Sequence, residues 1–150
     1  MGDFIDRVKT TYKSGSVLTR LIIINVSVFV VLKVIGVIFI LFNIYSLDLI
    51  TLLGVPSYIP LLINRIWTLV TYMFVHEGFL HILFNMLWLY WFGKIFLQYF
   101  TGRTLGSLYV LGGLAGAILY IIAFNTIPYY LGMDRGWMIG ASAVVMAIVM

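Results

Sequence analysis

Two histidines and an asparagine are the most reactive side chains in the central part of the sequence. They lie in the stretch HEGFLHILFN as His76, His81 and Asn85, with Glu77 directly after the first histidine. The zinc protease motif H-E-x-x-H sets two histidines four residues apart on one helical face, with the glutamate as general base. Here the second histidine comes five residues after the first.

The five-residue spacing argues against a shared metal ion. On a regular helix with about 100° per residue, a step of four returns to within ~40° of the starting direction, whereas a step of five lands ~140° away. If the stretch is one helix, His76 and His81 point apart, and His81 shares its face with Asn85. The sequence contains no cysteine and no third histidine to complete a site. We therefore predict no metal and no cofactor.

Ser142 is a further polar residue, in the small-residue stretch GWMIGASAVVMA. The G-x-S-x-G turn of soluble hydrolases does not match, because residue 144 is valine and no strand is expected before the serine. A serine in such a helix most often hydrogen-bonds a carbonyl one turn earlier. Together, however, Ser142, His81 and Asn85 supply a hydroxyl nucleophile and two donors for an oxyanion.

The composition indicates that these residues lie within a membrane. Hydrophobic residues make up 63% of the 150 residues, charged residues only 9%, and the mean hydropathy is +1.13. A soluble domain of this size needs a larger charged surface. The net charge of +4 is too small and too scattered for a nucleic-acid-binding surface. We therefore expect an all-α protein in the lipid bilayer, without a nucleic-acid partner.

Three apolar stretches are long enough to cross about 30 Å of hydrocarbon. Spanning helices are predicted over residues 21–42, 71–92 and 105–127, after a polar N-terminal tail of residues 1–20. A fourth apolar helix is predicted over residues 137–150, where the sequence stops short of the about 20 residues that a span needs. If it packs beside the second helix, Ser142 lies within one side chain's reach of His81 or Asn85.

The distribution of cations predicts the orientation of these helices. Four cations lie in the N-terminal tail, and Lys94 and Arg103 lie between the second and third spans. The opposite side carries Arg65 and Arg135 together with three acidic residues. The positive-inside rule therefore predicts a cytoplasmic N-terminus. The apolar loop of residues 43–66 is expected to pack on the outer membrane surface.

The stretch HEGFLHILFNMLWLYWFG, with GASA in a later helix, resembles the rhomboid family of intramembrane serine proteases. The resemblance covers residues 18–150, the first four of the family's six core helices. It implies a serine–histidine dyad that opens toward the extracytoplasmic side, with Ser142 as nucleophile. His81, Asn85 and the backbone N–H of Ser142 would form the oxyanion hole, while His76 would support the first loop. The expected substrates are transmembrane proteins, and the expected location is a bacterial inner membrane.

Three features depart from the family pattern. The family's general base is a histidine on the sixth helix, beyond the 150 residues of this sequence, so these residues alone are expected to lack activity. Ala143 follows the serine in place of the usual glycine. The family's first loop often carries adjacent Trp-Arg, whereas here Arg65 lies two residues before Trp67. We still expect Arg65 and Trp67 to support that loop.

Two other functions fit parts of the pattern. A catalytically inactive rhomboid relative would bind transmembrane clients, but such relatives often lack the serine or the base, and Ser142 is present. A metal-dependent membrane hydrolase or transporter would use His76, Glu77 and His81, which the spacing disfavours. Lys33, within the first span, is assigned no function because its long side chain can extend to the membrane surface.

Overall fold

A computed structural model describes residues 2–44, 48–131 and 136–150 of the chain. In chain order its elements are α1 (Gly2–Ser14), α2 (Val17–Leu41), α3 (Leu49–Leu53), β1 (Val55–Pro56), α4 (Ile59–Ile63), α5 (Thr68–Thr71), a 3-10 turn (Tyr72–Phe74), α6 (Phe79–Tyr99), α7 (Gly102–Thr126), α8 (Pro128–Leu131), β2 (Trp137–Met138) and α9 (Ser142–Val149). Helices dominate the fold, which confirms the predicted all-α class.

Three helices of the described part of the chain are long and apolar enough to cross a membrane. They are α2, α6 and α7, whose mean hydropathies are 2.8, 1.3 and 2.0, respectively. The first and third lie within a few residues of the predicted spans. The first begins at Val17 rather than residue 21, because Ser16 accepts a hydrogen bond from the N–H of Thr19 at 3.2 Å and caps the helix. The predicted polar tail contains α1.

The second span begins later than predicted, so a single helix over residues 71–92 is wrong. Val75 is extended, with φ −89° and ψ 124°, and α6 begins only after Gly78. The chain breaks here because the residues before it are anchored inward. Tyr72 is fully buried, and its hydroxyl donates to the carbonyl of Gly113 in α7 at 2.6 Å. His76 therefore lies in a loop, not on the helix that carries His81.

The fourth helix also begins later than predicted, because residues 137–141 are not helical. Trp137 and Met138 form β2, which pairs antiparallel with β1. Beside this pair, the N–H of Ser57 donates to the carbonyl of Gly136, and the N–H of Gly136 donates to the Ser57 hydroxyl, both at 2.9 Å. The loop between α2 and α6 (the first loop) thus provides hydrogen-bond partners for backbone groups that a helical turn would otherwise pair. A short strand does precede Ser142, contrary to expectation.

A buried hydrogen bond joins two spanning helices. Asn25 of α2 is fully buried, and its amide donates to the hydroxyl of Tyr109 in α7 at 3.0 Å. The same amide nitrogen donates to the carbonyl of Leu21, one turn earlier in α2. Interhelical hydrogen bonds of this kind stabilise membrane bundles, in which apolar burial gives little driving force between helices.

Small residues set the distance between α7 and α9. A Cβ atom added to Gly112 would lie 2.5 Å from the Cβ of Ala147, and one added to Gly116 would lie 2.4 Å from the Cβ of Ala143. The two helices therefore approach as closely as their backbones allow. The stretch GWMIGASAVVMA has small residues at three- or four-residue steps: Gly136, Gly140, Ala143 and Ala147. Of these, only the two alanines belong to α9.

Candidate active site

The start of α9 lies beside α6, and a cavity separates the two helices. Ser142 is the first residue of α9 and is exposed, whereas Asn85 of α6 is buried. Both residues line the same cavity of about 250 Å³. The remaining wall is apolar, formed by Phe84, Trp88, Val145, Met146 and Val149. The fold thus brings together two residues that are far apart in the sequence.

The amide of Asn85 is oriented by its own helix. Its Nδ2 donates to the carbonyl of His81, one turn earlier, at 2.8 Å. An asparagine amide has two N–H groups, so this bond engages one and leaves the other to serve a ligand. Asn85 is only 8% exposed and lines the cavity, so its amide is largely shielded from open solvent.

His81 lies against the turn that leads into α9. A Cβ atom added to Gly140 would lie 2.6 Å from the Nε2 of His81, so no larger residue fits without displacing the ring. Gly140 also has φ +99°, a conformation that other residues rarely adopt. Its N–H donates to the carbonyl of Tyr72 at 2.9 Å. Nothing in the sequence indicated this role of Tyr72, whereas Gly140, two residues before the serine, was a signal of a backbone conformation that favours glycine.

His76 is a buried hydrogen-bond acceptor at the same turn. It is 3% exposed, its Nδ1–H donates to the carbonyl of Phe74 at 3.3 Å, and its Nε2 accepts from the N–H of Ala141 at 3.4 Å. This pattern requires a neutral ring. Burial, reinforced by the neighbouring charge of His81, lowers the pKa of His76 to about 4, although the bond to Phe74 opposes the shift. His76 therefore supports the turn before Ser142.

The two histidine rings are in contact, contrary to the helical argument. Their centroids are 5.1 Å apart in an edge-on arrangement, because His76 precedes α6. Spacing alone therefore does not separate them. The Nε2 lone pair of His76 is nevertheless occupied by the N–H of Ala141. Within the described ranges, no group of three histidine, cysteine or acidic side chains is placed to hold a metal ion.

Three side chains satisfy the end of α3 in the first loop. Arg65 Nη1 donates to the carbonyl of Thr51 at 2.9 Å, and Trp67 Nε1 donates to that of Leu52 at 3.2 Å. The hydroxyl of Thr71 donates to the next carbonyl, that of Leu53, at 2.7 Å. Helix ends leave such carbonyls unpaired. Arg65 and Trp67 thus contact the loop without being adjacent in sequence, and Thr71 is a third donor that the sequence analysis missed.

Lys33 connects α2 to the loop before α6. Its ammonium donates to the carbonyl of Glu77, and it lies 5.5 Å from the ring centroid of Phe29. Lys33, His76 and Glu77 also lie in the wall of a second cavity, of about 450 Å³, between α2 and the first loop. This contact accounts for the position of a cation within an apolar span.

The family model for the Rhomboid domain matches residues 64–150, which is more than half of the chain. This chain belongs to the rhomboid family. The matched range contains His76, His81, Asn85 and Ser142. Searches of curated proteins and of solved structures give no significant match.

The rhomboid family is a family of intramembrane serine proteases. Together with the three apolar helices, membership makes this chain an integral membrane protein. In this rhomboid chain, the start of α9 offers backbone N–H groups that have no partner within the helix. Such groups, with a side-chain amide beside them, are suited to binding a developing negative charge.

Proposed function

We propose that this rhomboid chain is part of an intramembrane endopeptidase that cleaves transmembrane segments of substrate proteins near the extracytoplasmic face. Ser142 is the proposed nucleophile. The observation that carries this proposal is the shared cavity of Ser142 and Asn85, with His81 beside the turn that leads into α9. The cavity joins a hydroxyl to oriented hydrogen-bond donors in an apolar surrounding, as acyl transfer requires.

In the proposed reaction, the Ser142 oxygen attacks the carbonyl carbon of the scissile peptide bond while its proton passes to a general base. The resulting oxyanion accepts hydrogen bonds from the Asn85 amide, the His81 ring and the backbone N–H of Ser142. The C–N bond then breaks, and the leaving amine takes up the proton. Water hydrolyses the acyl-serine, which regenerates the hydroxyl and releases a carboxylic acid.

Neither histidine of this sequence is assigned as the general base. His76 uses both ring nitrogens in hydrogen bonds, and its pKa of about 4 makes it a weak proton acceptor at neutral pH. His81 is assigned to the oxyanion. The rhomboid resemblance implies that the base is a histidine of the family's sixth helix, a position that neither His76 nor His81 matches. Residues 1–150 on their own should neither cleave a substrate nor react with a fluorophosphonate at Ser142.

The proposed orientation has the N-terminus in the cytoplasm, in a bacterial inner membrane. Lys94 lies near the end of α6 and Arg103 near the start of α7, both at the opposite end of α6 from His81. The positive-inside rule then puts the starts of α6 and α9 at the outer face. Arg135, and Asp134 as one of the three acidic residues counted on the outer side, lie outside the described residues.

The test compares two serine variants of the protein purified from its native membrane. Ser142→Ala should lower the rate of cleavage of a transmembrane test substrate by about 10⁵-fold or more, as loss of a serine nucleophile does. Ser107→Ala, at an exposed position of α7, should leave the rate unchanged. Equal rates for the two variants would exclude Ser142 as nucleophile.

A further inference from the structure

The helix α1, which precedes the first span, is amphipathic. From Ile5 to Ser14 its apolar residues are Ile5, Val8 and Tyr12, at steps of three and four. At about 100° per residue these three fall within ~60° of one another, and every other residue of this stretch is polar or charged. Ile5 is 48% exposed and Tyr12 is 41% exposed, so much of the stripe has no protein cover in the described structure.

Lysines flank one edge of this stripe. Lys9 and Lys13 are four residues apart, both exposed, and both follow the Ile5 side of the stripe around the helix. An apolar stripe bordered by lysines is the pattern of helices that lie in the plane of a lipid surface. Asp6 lies about 100° from Ile5, on the same side of the helix as the lysines but farther from the stripe than either of them.

Arg20 fixes α1 to the start of the first span. Its Nε donates to the carbonyl of Tyr12 at 2.9 Å and its Nη2 to that of Lys13 at 3.0 Å, which satisfies the C-terminal end of α1. The guanidinium also lies 5.6 Å from the centroid of the Tyr12 ring. Only Gly15 and Ser16 separate α1 from α2. The end of α1 is therefore held at the level where the chain enters the membrane.

We propose that α1 lies in the lipid headgroup layer on the side from which α2 enters, with Ile5, Val8 and Tyr12 against acyl chains. Lys9 and Lys13 contact anionic phospholipid headgroups. This inference is independent of the proposed protease activity.

The connection to α2 favours lipid over a protein partner. A stripe of three residues is far smaller than a stable protein interface, which buries about 800 Å² on each partner. Lipid binding needs less area because the span already holds α1 at the surface, so insertion of the stripe is an intramolecular step. The lysines add attraction to negatively charged lipid, which a neutral protein surface would not provide.

The absence of cysteine allows a direct test with single labels. Ile5→Cys, on the stripe, and Thr10→Cys, about 140° around the helix, are labelled with an environment-sensitive fluorophore in the whole chain. The protein is reconstituted in phosphatidylcholine vesicles with or without phosphatidylglycerol, and lipids with a nitroxide on the acyl chain act as quenchers. The label at position 5 should be quenched at least about twofold more than the label at position 10.

The lysine contribution is tested with Lys9→Gln and Lys13→Gln in the Ile5→Cys protein. In phosphatidylglycerol vesicles each change should shift the equilibrium between lipid-bound and free α1 about fivefold toward the free form. In vesicles without the anionic lipid, neither change should shift this equilibrium. Equal lipid quenching at positions 5 and 10 would overturn the proposal. So would a position-5 label that is shielded from water but not quenched by lipid, because a protein surface would then cover the stripe. Lysine variants without effect in phosphatidylglycerol would overturn the headgroup contact.

Discussion

The helix α9 has two faces with different surroundings, one closed and one open. On the closed face, Ala143 and Ala147 meet Gly116 and Gly112 of α7 with no room for an added methyl group. On the open face, Ser142 and its neighbours one and two turns later face α6 across a cavity of about 250 Å³. Ser142 and Ala143 are adjacent in sequence, so two neighbouring residues of α9 face the two different surroundings.

This difference shows how α9 can be held in a fixed position while one of its faces stays open. Close backbone packing leaves α9 little freedom to slide or rotate, because any shift drives the alanine Cβ atoms into the glycine backbone. The open face is then held at a constant distance from Asn85. In the proposed function, the tightly packed face would hold α9 in place while the open face admits a substrate segment.

The closed face should be the more sensitive of the two to added volume. Gly116→Leu should lower the free energy of unfolding by roughly 3 kcal/mol, because the side chain overlaps Ala143. Gly36→Leu is the matched control, since a Cβ atom on Gly36 meets nothing within 4 Å. Thermal or denaturant unfolding in detergent measures both. Equal destabilisation would show that the α7–α9 contact is not the tight one.

The turn before Ser142, at the edge of the open face, should lose stability when a single methyl group is added. Gly140→Ala should cost about 2 kcal/mol of stability, because φ +99° strains an alanine and the methyl group overlaps the ring of His81. Gly78→Ala, with open space around its Cβ position, should cost little. Unfolding measurements on the pair compare them directly. If Gly140→Ala is as stable as Gly78→Ala, the turn before Ser142 is not held as described.

Acid should destabilise the same turn by protonating His76. Its pKa is about 4 in the folded protein and near 6.5 when unfolded, so the unfolded chain binds more protons between these values. Stability should therefore fall as the pH drops from 6.5 toward 4. His76→Gln, which has no ring to protonate, should be less stable at pH 7 but show a flatter profile over this window. Parallel profiles for the two proteins would contradict a neutral, buried His76.

The smallest effect is expected in the first loop, which is joined to the segment before α9 by the β1–β2 pair. Trp67→Phe keeps an aromatic ring and removes the donor to the carbonyl of Leu52. The substitution should lower the free energy of unfolding by about 1 kcal/mol, which is the usual contribution of one hydrogen bond. Trp88→Phe, in the cavity wall, removes no described hydrogen bond and serves as the control in the same unfolding assay. A larger loss for the control would mean that ring volume, not the indole N–H, matters.

The sequence determined the number of spans and the family, because both depend on local features. Apolar length alone defines a helix that can cross a membrane, and α2, α6 and α7 follow from it. His81 and Asn85 are one turn apart on α6, so their shared face was also predictable. Their residue types and spacing, with Ser142 downstream, pointed to the family that the Rhomboid domain match then showed.

Only the tertiary structure decided where the second and fourth helices begin. The residues on both sides of His76–Gly78 are largely apolar, as are residues 137–141, and hydropathy does not distinguish a buried loop from a span. The start of α6 is delayed because Tyr72 is anchored to α7, and the start of α9 is delayed because β2 pairs with β1. These breaks depend on hydrogen bonds between residues about 40 to 80 positions apart, which local propensity does not contain. They bring His76, His81 and the turn before Ser142 into contact.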